Sequence, residues 1–159
     1  MLNALVSRQS AVLLLWFTSL AAFASSDAIL TVDNQGQKAY FSLEQLLTHA
    51  DKEIVTNTPW TDDSTKFVGV SAKALLHMIG VEKADLKVTA LNNYWSTIPY
   101  DDIEKYNPLF AVKKNDDVMS VRDKGPIWVI YPLTEFNELN NEVLHSRMVW
   151  QVSQIETLR

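Results

Sequence analysis

A charged turn lies directly before an apolar segment in the last third of the chain. It contains Arg122, Asp123, Lys124, Gly125 and Pro126, and the apolar residues 127–131 follow it. Because a Gly-Pro pair restricts the backbone to a turn, the charged side chains are expected at the mouth of the strand that follows. A planar guanidinium and an ammonium group at the end of a sheet could bind a flat polar ligand.

Aromatic and amide side chains in turn-rich segments could contact the same ligand. They are Trp60 in a polar loop, Asn92 and Asn93 after a strand, Tyr94 next to them, and Tyr131 before Pro132. Rings offer stacking faces, and amides offer both donors and acceptors, so the set predicts a site for a small, nitrogen-rich heterocycle. Taken singly, Tyr94, Trp95 and Tyr131 are better explained as half-buried strand residues, whereas Trp60 and Arg122 favour a ligand.

The other reactive residue types do not form a catalytic or metal-binding pattern. None of the three histidines has a second histidine or a carboxylate four residues away on a shared face of a predicted helix, a common spacing of metal ligands. The paired carboxylates fall in turns or at a helix start, where solvent exposure explains them. The chain has four glycines and no nucleophile-elbow serine, so a phosphate loop and serine catalysis are both disfavoured.

Composition excludes further classes of function. The net charge of −5 is unfavourable for nucleic-acid binding, and no polybasic cluster suggests binding to anionic lipid. The chain has no cysteine, which removes thiol catalysis and cysteine-ligated metal clusters. For an exported chain, the absence of disulfides fits a bacterial periplasm better than a eukaryotic secretory route.

Residues 1–24 have the three parts of a secretory signal peptide. Arg8 provides a positive charge, residues 11–23 are apolar, and residues 22–24 form a small-x-small cleavage site. We therefore predict a single exported domain over residues 25–159, located in the periplasm and not inserted in the membrane. An uncleaved N-terminal anchor is the alternative.

Short strands and short helices alternate without a regular β-α-β repeat. Helices are predicted at residues 42–49, 71–80 and 100–106, and strands at residues 28–32, 38–41, 53–56, 67–70, 86–91, 94–98, 109–112, 118–121, 127–131 and 148–155. The segment 133–145 is left open between helix and loop. The pattern predicts an α+β fold with a mixed β-sheet, in which residues 127–131 are central and residues 148–155 close the sheet.

Six segments, read in order, resemble a known family. They are residues 41–47, 67–76, 88–99, 109–111, 124–132 and 149–155. Their order and spacing are similar to those of the oxidoreductase molybdopterin-binding domain, which has the sulfite-oxidase fold. The similarity covers residues 41–156.

Two departures from that family bear on chemistry. Its enzymes hold molybdenum through a cysteine in the loop after the strand near Thr56, where this chain has Thr58-Pro59-Trp60-Thr61. The family also tends to carry an arginine shortly after the Gly-Pro turn, at the place of Trp128. The resemblance therefore implies a retained pterin pocket without the metal ligand.

An exported branch of the family resembles the chain more closely. Its members are periplasmic pterin-binding proteins, thought to relay pterin status to a membrane-bound enzyme that makes or degrades cyclic-di-GMP. The Thr58–Trp60 loop, the Asn92–Tyr94 segment and the charged turn carry this similarity. It implies that the partner is the periplasmic domain of such a signalling enzyme.

Together these observations predict a periplasmic, non-enzymatic pterin sensor, with pterin as its ligand and no molybdenum. The expected ligand contacts are ring walls from Trp60 and Tyr94, edge hydrogen bonds from Asn92 and Asn93, carbonyl or polyol contacts from Arg122 and Lys124, amino-pyrimidine pairing by Asp123, and Tyr131. Two alternatives remain open: a molybdenum-cofactor oxidoreductase with an unusual ligand, and an interaction module without a ligand.

Overall fold

The structure is a computed structural model that describes residues 27–158. The predicted signal peptide, residues 1–24, lies outside the described residues. Within residues 27–158, no helix is long and apolar enough to cross a membrane.

The described chain consists of short strands interrupted by four short helices. The strands are β1 Ala28–Asn34, β2 Gln37–Ser42, β3 Lys52–Thr56, β4 Thr65–Ser71, β5 Asp85–Ala90, β6 Trp95–Ile98, β7 Leu109–Lys114, β8 Asp117–Val118, β9 Trp128–Ile130 and β10 Val152–Leu158. The helices are α1 Leu43–Thr48, α2 Ala72–Met78, α3 Tyr100–Tyr106 and α4 Glu142–Arg147. The predicted α+β class is confirmed.

The strands form two sheets rather than the one that the sequence predicted. The first has the order β2-β1-β10-β5-β6, and it is mixed because β1 and β10 pair in parallel while the other pairs are antiparallel. The second has the order β3-β4-β7-β8, with β9 also paired to β7. Pairing between distant segments decides how strands divide into sheets, so local patterns do not reveal it.

Strand β9 connects the two sheets, which explains why its sequence is apolar throughout. One edge pairs with β7, and Trp128, Val129 and Ile130 are fully buried. On the other side, the Val129 amide donates to the Val149 carbonyl at 2.8 Å, and the Val152 amide donates to the Ile127 carbonyl at 3.0 Å. Residues 149–152 thus cover the edge of β9, as the backbone of a buried strand requires.

Local sequence signals predicted the helix boundaries well. Ser42 and Gln45 form a capping box at the start of α1, where the sequence predicted a helix. Ser71 caps α2, and Gly80 follows it with φ +70, the left-handed conformation that favours glycine. These contacts satisfy backbone groups that a short helix leaves free at its ends.

The largest differences from the prediction lie in the last third of the chain. Strand β10 begins at Val152 rather than residue 148, since Gln151 has φ +54 and its amide donates to the Lys124 carbonyl at 2.9 Å. The predicted strand 118–121 is reduced to β8, followed by a 3-10 turn at Val121–Asp123. The undecided segment 133–145 contains a 3-10 turn at Asn137–Leu139 and most of α4.

Candidate functional site

An open cavity of about 470 Å³ lies between the Trp60 loop, the β5–β6 turn and α4. This volume is in the range typical of small-molecule sites, about 300–1,000 Å³. Aromatic, apolar and polar side chains line it: Trp60, Ala90, Asn92, Tyr94, Glu142, His145, Ser146, Met148, Val149 and Trp150. We call it the aromatic cavity.

Trp60 is held by ring contacts on several sides. Its ring centroid lies 5.2 Å from that of Trp150 in an edge-to-face arrangement and 6.1 Å from that of Trp128. The His145 ring packs against it at 5.9 Å, also edge to face. Such contacts stabilise a defined ring orientation. Trp60 is therefore a fixed wall of the cavity, as expected for a stacking residue.

The loop that carries Trp60 is closed by threonine hydrogen bonds. The Thr58 amide donates to the Thr61 hydroxyl at 3.0 Å, and the Thr61 amide donates to the Thr58 carbonyl at 3.2 Å. The Trp60 amide donates to the Thr58 hydroxyl at 3.2 Å. These are the local side-chain bonds that threonine makes in turns, and they position the indole without using a strand.

The β5–β6 turn places Asn92 and Tyr94 at the cavity, whereas Asn93, which was also predicted to contact the ligand, does not line it. The Asn92 side-chain oxygen accepts from the Tyr94 amide at 3.0 Å, and Asn93 has φ +66. Asparagine tolerates this left-handed conformation. The Tyr94 hydroxyl donates to the Ser146 carbonyl at 2.9 Å, which joins the turn to α4.

Helix α4 supplies three lining side chains that the sequence analysis missed. Glu142, His145 and Ser146 lie at i, i+3 and i+4, the spacing that brings side chains to one helix face. Asn141 caps the helix by accepting from the Leu144 amide at 3.1 Å. Among the described residues, the Glu142 carboxylate has no hydrogen-bond or ion-pair partner. The cap and the spacing were the available signals.

The charged turn does not line the cavity. Arg122 is exposed, and the Asp123 carboxylate accepts from the Lys114 ammonium at 3.2 Å. The Lys124 ammonium lies 5.5 Å from the Trp128 ring and 5.6 Å from the Trp150 ring. Of the three predicted contacts, only Lys124 is therefore adjacent to a lining residue, through a cation–π contact with Trp150.

Tyr131 is a core residue and does not reach the cavity. It is 0% exposed, and its hydroxyl donates to the Asp102 carboxylate at 2.8 Å. Burial, together with the neighbouring Asp102 charge, raises the pKa of Tyr131 far above its ordinary range. The Arg147 guanidinium donates to the same carboxylate oxygen at 2.6 Å. The expected ligand contact from Tyr131 is thus replaced by a contact network that holds α4 against α3.

Comparison with known proteins identifies a fold and no family. No family model matches the sequence, and no curated protein matches it. Among solved structures, the chain is similar to the crystal structure of the sulfane dehydrogenase SoxCD from Paracoccus pantotrophus, with a TM-score of 0.59 and 15% identity. The match covers 84% of this chain and 39% of that one, so this chain spans well under half of that structure's length. The likeness supports a sulfite-oxidase-like fold.

The residues present do not fit a protein-ligated molybdenum. The chain has no cysteine, and the loop at which the sequence resemblance implies a thiolate consists of Thr58–Thr61, whose polar groups bond to each other. Within residues 27–158, no group of three or more acidic or histidine side chains could hold a metal ion.

Proposed function

We propose that this protein is a non-enzymatic pterin-binding protein of the periplasm. The observation that carries the proposal is the aromatic cavity, in which fixed rings, an amide and an unpaired carboxylate converge. A pterin is a flat bicyclic ring with an amino-pyrimidine edge, so it needs stacking faces and a small number of polar partners. The fold likeness is consistent with this ligand class.

The rings would bind the faces and edges of the pterin. Trp60 and Tyr94 both line the cavity, and Tyr94 is 48% exposed, which leaves much of its ring available. Met148 and Val149 add apolar surface. Stacking of a heterocycle on an aromatic side chain contributes about 1–3 kcal/mol per ring. Ring contacts therefore supply most of the affinity in this proposal.

Polar groups would select the pterin among flat rings. The Glu142 carboxylate can accept two N–H bonds from an amino-pyrimidine edge, the role that the sequence analysis gave to Asp123. Asn92 keeps its NH₂ group available, because only its oxygen is used by the Tyr94 amide. That NH₂ group would donate to the ring carbonyl.

Replacing Glu142 by glutamine tests the polar assignment. Glutamine keeps one acceptor and removes the charge, so we expect pterin affinity to fall about fivefold to tenfold. Isothermal titration calorimetry measures the change. Glu104→Gln is the matched control, since Glu104 is exposed on α3 and outside the cavity. Equal affinities for both variants would remove Glu142 from the site.

Export, absence of catalysis and a signalling partner complete the proposal. The support for export is the sequence pattern of residues 1–24, and the support for a membrane-bound cyclic-di-GMP enzyme as partner is the family resemblance. Cell fractionation tests the location, and co-purification with membrane proteins from the native host tests the partner. Recovery of the protein in the cytoplasm would contradict the proposed export.

Analysis of freshly isolated protein tests the ligand and the main alternative together. Native mass spectrometry of protein from its own host should detect a bound small molecule. After release, that molecule should show pterin fluorescence. Elemental analysis of the same sample should show no stoichiometric molybdenum. Molybdenum at one atom per chain would instead support an oxidoreductase with a non-cysteine ligand.

A further inference from the structure

Exposed apolar side chains are concentrated beside the mouth of the aromatic cavity. Within residues 27–158, eight large apolar side chains are exposed, and half of them lie on the β5–β6 turn, on α4 and on the charged turn. These four are 48–58% exposed: Leu91, Tyr94, Val121 and Val143. Only Tyr94 lines the cavity, so ligand binding does not explain the exposure of the other three. We call these four residues and the exposed Arg122 the rim.

Hydrogen bonds join the segments of the rim into one surface. The Gln151 carbonyl accepts from the Leu91 amide at 2.9 Å, and the Gln151 side-chain amide donates to the Val121 carbonyl at 2.8 Å. The Tyr94 hydroxyl donates to the Ser146 carbonyl of α4, the helix that carries the fourth apolar side chain. The rim is therefore held in place by contacts that exist without a partner.

Arg122 gives the rim a positive charge that the described residues leave unpaired. Its guanidinium has no hydrogen-bond or ion-pair partner within residues 27–158. The neighbouring Asp123 carboxylate is paired with the Lys114 ammonium at 3.2 Å, so it does not neutralise Arg122. The whole chain has a net charge of −5, which makes this cation a local exception. An unpaired cation beside exposed apolar side chains complements an acidic surface.

We infer that the rim is the docking surface for a protein that presents carboxylates next to an apolar side chain. The inference deepens the proposed function and rests on it for the existence of a protein partner. Arginine and aromatic residues are enriched in protein interfaces, and a grouped exposed apolar surface with a polar edge is typical of them. A guanidinium can bind one carboxylate through two parallel hydrogen bonds. Arg122 therefore has a role outside the cavity.

A lipid surface fits the rim less well than a protein does. Attachment to anionic lipid is typical of clusters of about 4–8 basic residues. The charged turn offers only Arg122 and Lys124, and the Lys124 ammonium lies 5.5–5.6 Å from two indole rings of the protein itself. The small number of cations favours recognition of a particular carboxylate.

Site-specific photo-cross-linking in cells of the native host tests the inference. The full-length chain carries p-benzoylphenylalanine in place of Leu91, Val121 or Val143, one position at a time. We expect all three positions to cross-link the same host protein, and Arg122→Glu to remove the product. Val55 is the matched control position, since it is 55% exposed on β3 and outside the rim. It should not give that product.

The cross-linked protein, identified by mass spectrometry and purified, then provides an affinity. Arg122→Glu should weaken its binding about tenfold to a hundredfold, the effect of losing a charge-assisted contact. Added salt should also weaken it, since the contact is exposed. Lys38→Glu, which reverses an exposed charge on β2, is the matched control. The pterin affinity of Arg122→Glu should equal that of the unaltered chain, because Arg122 does not line the cavity.

The outcomes separate the inference from the proposed function. Equal yields of the product from Val55 and from the rim, no product from any rim position, or a partner affinity that Arg122→Glu leaves unchanged would overturn the inference. Binding of the purified chain to phosphatidylglycerol vesicles that Arg122→Glu abolishes would also overturn it and assign the rim to a lipid surface. Failure of the unaltered chain to bind pterins would instead contradict the proposed function.

Discussion

Replacement of Trp60 by alanine is expected to weaken pterin binding by roughly tenfold to a hundredfold. The estimate follows from about 1–3 kcal/mol per stacked ring at 1.4 kcal/mol per tenfold in affinity. Trp60 lines the cavity, and its ring contacts with Trp150 and His145 fix its orientation before a ligand arrives. Titration calorimetry of the folded variant measures the loss.

Trp95→Ala is the matched control for Trp60. Trp95 is 57% exposed on β6, does not line the cavity, and contacts the Lys87 ammonium at 5.5 Å from its ring. Its removal should leave pterin affinity unchanged. Trp60→Phe should recover part of the affinity, because a smaller ring remains available for stacking. Near-ultraviolet circular dichroism measures whether Trp128 and Trp150 keep their packing in the Trp60 variants. Full affinity in folded Trp60→Ala would remove that residue from the site.

Replacement of Asp102 by alanine is expected to lower the free energy of unfolding by about 2–4 kcal/mol, the cost of leaving a partly buried charge and a buried hydroxyl without their partner. The Asp102 and Arg147 side chains are 14% and 21% exposed, so water screens the pair only in part. Tyr131, which donates to the same carboxylate, is fully buried. Urea unfolding followed by tryptophan fluorescence measures the change.

Asp101→Ala provides the comparison for Asp102. Both carboxylates lie in the first turn of α3, but Asp101 is exposed. Its removal should change stability by well under 1 kcal/mol. Because Arg147 ends α4, the Asp102 variant should also weaken ligand binding through displacement of Glu142 and His145. If the two aspartate variants unfold at the same urea concentration, the proposed network does not stabilise α4.

Sequence patterns predicted the features that depend on neighbouring residues. The helix starts at Ser42 and Ser71 and the position of Trp60 in a polar loop are all local. Each depends on hydrogen bonds between residues at most three positions apart. The strands and most helix ends were accordingly predicted to within a few residues.

Contacts between distant segments account for the errors. No local pattern indicated that Tyr131 would contact Asp102, which is 29 positions away, or that Lys114 would pair with Asp123. Tyr131, which was predicted to contact the ligand, lies in the core instead. The Asp123 carboxylate, which was also predicted to bind the ligand, is paired with Lys114. The charged turn was predicted to bind the ligand because its charged residue types are evident in the sequence. The cavity is lined in part by α4, a short helix whose sequence pattern is weak.

Titration of the purified protein with dihydroneopterin tests pterin binding most directly. Binding should be saturable at one ligand per chain and should quench tryptophan fluorescence, because Trp60 and Trp150 line the cavity. At a free ligand concentration 100 times the dissociation constant, the free energy of unfolding should rise by about 2.7 kcal/mol. A folded, ligand-free sample that shows neither quenching nor added stability with this or other reduced and oxidised pterins would contradict the proposal and favour an interaction module without a ligand.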